Sequence, residues 1–127
     1  MDCVAIGDSI AVGLSQASRC TMQAKVGRTS SQQAAMIKII NTDLVVISLG
    51  SNDPMHPELI RNLRHVRASV VATKVIWIVP YHRYAASAVR KVADERMDGI
   101  IELRMFPTND GVHPANYSSV ANRITLR

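Results

Sequence analysis

The chain has 127 residues, 47% of them hydrophobic and 20% charged, with a formal net charge of +5. That length fits one domain spanning residues 1–127, able to bury roughly two-thirds of its unfolded surface. No apolar run approaches the roughly 18 residues of a membrane span, and an aromatic content of 4% offers few rings for stacking bases. Neither a membrane span nor nucleic-acid binding is expected.

Met1-Asp2 leads straight into Cys3-Val4-Ala5-Ile6, which reads as a first strand. No basic segment, apolar stretch and cleavage site precede it, so the chain is expected to be cytoplasmic as synthesised or associated with a particle. Residues 10–17 read as a short helix and 21–26 as a second strand. Ser30 to Ile40 predicts a helix, with Ala34, Ala35, Met36, Ile37 and Ile40 as its apolar stripe. Residues 44–49, apolar and β-branched, read as a strand covered on both faces. In 57–72, Leu59, Ile60, Leu63, Val66 and Val70 recur at helical spacing. Residues 74–79 predict another buried strand, stopped by Pro80. Tyr84 to Met97 predicts a helix, 100–103 a short last strand, and Pro114 the first turn of a helix reaching about Ile124.

Strands alternating with helices over short loops imply a parallel sheet with helices on both faces. The expected fold is a three-layer α/β/α sandwich with five parallel strands, flavodoxin-like in outline. No repeat, linker or low-complexity segment interrupts it.

Cys3 and Cys20 are the two cysteines, too few for a disulfide scaffold or a complete metal site. Cys3 falls in a predicted buried strand and reads as a free thiol; a disulfide requires their strands to be neighbours. Arg61, Arg64 and Arg67, with the later arginines, read as a solvated basic face. The functional alternative is attraction to an anionic polymer.

Three segments fall where predicted strands one, three and five end: Gly7-Asp8-Ser9-Ile10, Gly50-Ser51-Asn52-Asp53 and Asp110-Gly111-Val112-His113-Pro114. Ligands of open α/β sheets bind at that edge. Each segment also has a plainer reading. Ser9 serves as a helix N-cap, while the other two serve as turns. As chemistry, a serine needs a base to take its proton. His113 is the one histidine of four with an aspartate three residues upstream, where Asp110 can fix the ring tautomer. His56 reads as a helix-start residue, His65 as a helix-surface residue and His82 as part of the rim. The Asn52 amide could donate to an oxyanion.

These segments resemble the blocks of the SGNH hydrolases, or GDSL-type esterases and lipases. The third and last blocks match in full, Ile10 replaces the usual leucine, and Gly27 stands where that family has a glycine after strand two. The resemblance implies Ser9 as nucleophile, His113 as base and acid, and Asp110 as its orienting group. It also implies an oxyanion hole from Ser9 N–H, Gly27 N–H and the Asn52 amide, with Asp8 and Asp53 bonding loop backbone. No metal or cofactor is implied.

The chain is short for such a family, leaving little to build a lid or a deep acyl pocket. A small acyl ester is therefore the expected substrate: an O-acetyl or short acyl group, on an anionic or neutral polysaccharide or on peptidoglycan. The alternative is a catalytically silent carbohydrate-binding module or a structural part of a phage or other particle. Oligomeric state is not legible.

Overall fold

Five segments rich in β-branched and aliphatic residues pair into one parallel sheet: β1 Cys3–Gly7, β2 Thr21–Ala24, β3 Ile40–Ser48, β4 Val70–Val79 and β5 Gly99–Glu102. The computed structural model describes residues 2–126, and side chains through Ile124. Strand order is β2-β1-β3-β4-β5. The expected flavodoxin-like outline therefore holds, and the strand order reverses between β1 and β3 at their carboxyl ends. The helices are α1 Ser9–Ala17, α2 Ser30–Met36, α3 Leu59–Ala68, α4 Arg83–Glu95 and α5 Tyr117–Leu126, with a 3₁₀ turn at Leu103–Met105.

Alternation along the central strands builds the three layers. Val45 and Ile47 of β3, with Val75, Trp77 and Val79 of β4, point to the face covered by Leu63 and Val66 of α3 and Val89 and Val92 of α4. Leu44, Val46, Ile76 and Ile78 point the other way, against Ile10 and Leu14 of α1 and Val120 and Ile124 of α5. Successive side chains of a strand face opposite sides of a sheet. A central strand with helices on both faces therefore needs apolar residues at every position, which Leu44 to Ile47 supplies. Trp77 is fully buried, and its indole N–H donates to Asp98 Oδ2 at 2.9 Å.

Several expected boundaries move. α2 ends at Met36 rather than Ile40, because Ile37 already has extended backbone (φ −68°, ψ 135°). α3 ends at Ala68 rather than residue 72. Part of each expected helix end enters a strand instead: Ile40 pairs with Val70, Asn41 with Val71 and Thr42 with Ala72. Ladder hydrogen bonds between two segments thus replace two helix ends. The terminal helix starts at Tyr117, where Asn116 Oδ1 accepts from Ser119 N–H at 3.2 Å. Pro114 instead forms an antiparallel bridge with Thr108.

The cysteines are also corrected. Cys3 is not a free thiol; it is disulfide-bonded to Cys20, with Cα atoms 4.4 Å apart. Val4 pairs with Thr21 across β1 and β2, so the preceding residues, Cys3 and Cys20, meet at the mouth of that pair. A bridge over a sequence separation of 17 restricts the unfolded chain by about 3 kcal/mol. The Cys3→Ser/Cys20→Ser double variant is expected to melt roughly 10 °C lower. Equal melting temperatures with and without the bridge would contradict that.

The arginines at 61, 64 and 67 do not form an unbalanced basic face. Arg64 binds Glu95, Arg67 binds Asp98 and Arg61 reaches Glu58; farther along, Arg90 and Arg104 share Glu102. Among the described residues no helix is long and apolar enough to cross a membrane.

Candidate active site

The site begins with the way β1 ends. Gly7 has φ +132°, and a Cβ there would run into the Ser48 carbonyl. Only glycine tolerates both that φ and that approach. The chain turns off the sheet, Asp8 N–H donates to Ser48 O at 3.0 Å, and α1 starts at Ser9. Asp8 is the N-cap: its Oδ1 accepts from Ile10 N–H at 3.0 Å and from the Ser48 hydroxyl at 2.9 Å. The capping role open to Ser9 is thereby taken by its neighbour. The Ser9 hydroxyl instead lies 2.8 Å from His113 Nε2.

Asp8 is fully buried, and burial pushes its carboxyl up to about 6 against the opposing hydrogen bonds from Ser48 and Ile10. The unfolded chain loses this proton near 3.8, so between those values the native state holds a proton the unfolded state has released. The associated cost grows from about pH 4 to 6 and reaches about 3 kcal/mol above that. Relative to Asp8→Asn, the wild type is expected to lose stability across that window. Urea titrations at several pH values check this, and a pH-independent difference would contradict it.

The base arrives from the far end of the chain. After the 3₁₀ turn, residues 106–115 form a closed loop. Asp110 Oδ2 lies 2.7 Å from His113 Nδ1, while its Oδ1 accepts from the N–H groups of Val112 (2.9 Å) and His113 (2.8 Å). The His113 N–H, the His113 ring and the Val112 N–H hold the Asp110 carboxyl well below the usual carboxylate range. An ionised Asp110 accepts only, so Nδ1 carries the ring proton and Nε2 is left to accept from Ser9. The Asn109-Asp110-Gly111 turn is real as well, with Gly111 at φ +76°; turn and site are one structure. The His113 and Asp110 side chains are 40% and 53% exposed, so this edge is open to solvent.

The third corner lies on the other side of β1. Gly7 pairs with Ala24 of β2 and with Ser48 of β3, which brings the loops after those strands beside Ser9's turn. Gly27 sits at φ +82° in the loop after β2, and its N–H makes no hydrogen bond among the described residues. The Asn52 amide donates to Arg28 O at 3.0 Å, so Gly27 and Asn52 are joined through one residue. Asp53 accepts from Ser30 N–H (3.0 Å) and the Ser30 hydroxyl (2.6 Å), tying α2 to the loop after β3. A depression of about 340 Å³ lined by Lys25, Val26, Gly27, Arg28, Gln32 and Met36 adjoins this loop.

The remaining histidines stand apart. His56 Nδ1 accepts from Glu58 N–H at 2.9 Å near the start of α3, His65 lies within α3, and His82 is the N-cap residue of α4. Sequence reading missed Ser48 and Thr108. The Tyr81 hydroxyl donates toward the Phe106 and Pro107 carbonyls at 3.1 and 3.4 Å. A lone hydroxyl in a strand or loop carries no periodicity, so nothing in the sequence marked Ser48 or Thr108.

No family model and no curated relative matches the chain. Solved structures do. A carbohydrate acetylesterase from Sinorhizobium meliloti superimposes with TM-score 0.65 at 13% identity, covering 98% of this chain and 98% of that one. A GDSL-like lipase from Bacteroides thetaiotaomicron gives 0.62 at 18% identity, covering 98% of this chain and 85% of that one. A member of the lipolytic G-D-S-L family from Veillonella parvula gives 0.60 at 14%, covering 100% and 99%. With these superpositions spanning nearly every residue, and all three segments at one sheet edge, the chain adopts the fold of the GDSL-type esterases and lipases.

Proposed function

We propose that this protein is a serine esterase that cleaves a small acyl ester through an acyl-enzyme on Ser9. One observation carries the reading: the hydrogen-bond chain from Ser9 Oγ to His113 Nε2 at 2.8 Å and from His113 Nδ1 to Asp110 Oδ2 at 2.7 Å. In this scheme the Ser9 oxygen attacks the ester carbonyl carbon while its proton passes to Nε2. The carbonyl π pair moves onto oxygen, where the N–H groups of Ser9 and Gly27 and the second N–H of the Asn52 amide receive it. Collapse expels the alcohol, which takes the proton back from His113. Water then repeats the sequence, releasing the acid and restoring Ser9.

Asn52 suits the oxyanion role because its contact with Arg28 O fixes the amide plane before substrate arrives. Preorganised donors cost no reorganisation during reaction. The exposure of His113 and Asp110 favours a short acyl group on a bulky alcohol, since an open edge accommodates a polymer. The acetylesterase among the structural neighbours agrees with an O-acetyl sugar as substrate. Exposure to a fluorophosphonate is expected to leave one covalent adduct on Ser9, and acetyl esters are expected to turn over faster than octanoyl esters. An unmodified protein would favour a silent binding module.

A further inference from the structure

The loop bearing His113 and Asp110 is held by hydrogen bonds rather than by packing, since Asn109, Asp110, Gly111 and Val112 are all exposed. Within it, Thr108 has a position no motif predicted. Its hydroxyl donates to the His113 carbonyl at 2.6 Å and accepts from Gly111 N–H at 3.0 Å. The same oxygen lies 3.3 Å from Asp110 Oδ1.

A hydroxyl has one proton and two lone pairs. The shorter contact takes the proton, and Gly111 N–H takes a lone pair. Asp110 Oδ1 already receives the N–H groups of Val112 and His113. His113 is therefore gripped on both sides of its own backbone: N–H by Asp110 and C=O by Thr108. The Thr108–Pro114 bridge and the Ala115 N–H bond to Pro107 O at 2.8 Å close the ring behind it.

We infer that Thr108 is a positioning residue for the base: its hydroxyl fixes the His113 backbone so that the imidazole meets Asp110 and Ser9 together. A methyl in place of that hydroxyl leaves the His113 carbonyl and Gly111 N–H to water and frees the loop to rotate the ring. A displacement of about 1 Å in a reacting group costs roughly 100-fold in rate. Serine keeps the proton and lone pairs, so it preserves the grip.

The rate consequence rests on the esterase reading; the ring geometry does not. The experiment compares Thr108→Val, Thr108→Ala and Thr108→Ser with wild type. It reads kcat and KM on a short nitrophenyl ester, melting temperature, and the two ring ¹⁵N shifts of His113, which report the tautomer. Thr108→Val is expected to lower kcat roughly 10- to 100-fold with KM unchanged and with His113 in mixed tautomers. Thr108→Ser should restore one tautomer and kcat. Thr108→Ala carries the comparison if the valine variant does not fold. Wild-type kcat in a folded variant without the hydroxyl, or an unchanged tautomer there, would overturn the inference. If the wild type turns over no ester, the esterase reading fails on its own, and the ring shifts still decide Thr108.

Discussion

Replacing Ser9 with alanine is expected to remove turnover of a short nitrophenyl ester by about 10⁴-fold or more while leaving the fold intact. The chemical part follows from the single oxygen within reach of His113 Nε2 in the described contacts. Without it, no acyl-enzyme forms, and residual hydrolysis would come from water beside the oxyanion donors. The folding part follows from the division of labour at the turn. Asp8, not Ser9, caps α1, and Gly7 makes the close approach to Ser48. Ser9 contributes neither, so its alanine variant should keep the wild-type melting temperature and circular dichroism. Equal residual activity in a folded variant would remove Ser9 as nucleophile.

Asp110→Asn is expected to lower kcat by up to about 10⁴-fold, with a smaller effect on KM. Asparagine separates the two jobs of this residue. Its Oδ1 can still accept from Val112 and His113 N–H, so the loop should hold. Its Nδ2 would replace Oδ2 opposite His113 Nδ1, 2.7 Å away in the wild type. Two donors would then face each other, and the ring would have to place its proton on Nε2. An Nε2 that carries a proton cannot take one from Ser9. The steady-state constants and the His113 ring ¹⁵N shifts check this together. A variant with wild-type kcat, or with Nδ1 still protonated, would show that Asp110 does not set the tautomer. Because hydrogen bonds hold Asp110 well below the usual carboxylate range, its ionisation should not limit activity at mildly acid pH.

The candidate site was legible to different depths at different residues. Ser9, Asp110 and His113 were legible because each sits in a short segment at a strand end, and three such segments in one parallel sheet meet at one edge. Ser9's plainer reading as a cap fails because the adjacent Asp8 makes that bond, accepting from Ile10 N–H. Thr108 and Ser48 were not legible. Each acts through one hydroxyl whose partner is set by a fold in the loop or by a neighbouring strand, and neither leaves a spacing in the chain.

The same contrast runs through the fold. Alternation of apolar runs with amphipathic segments, over short loops, was enough for a parallel five-stranded sheet, because apolar area and its period decide which segments are buried and in what form. The ends of α2 and α3 were beyond that logic. Ile40 to Thr42 and Val70 to Ala72 are strands because they pair with each other, a gain absent from either segment alone. The disulfide belongs to the same class: Cys3 and Cys20 are joined because β1 lies beside β2 in one register. Composition and period act locally and can be read residue by residue. Pairing, register and a hydroxyl's choice of acceptor depend on what the folded chain brings alongside, and only the tertiary structure decided them.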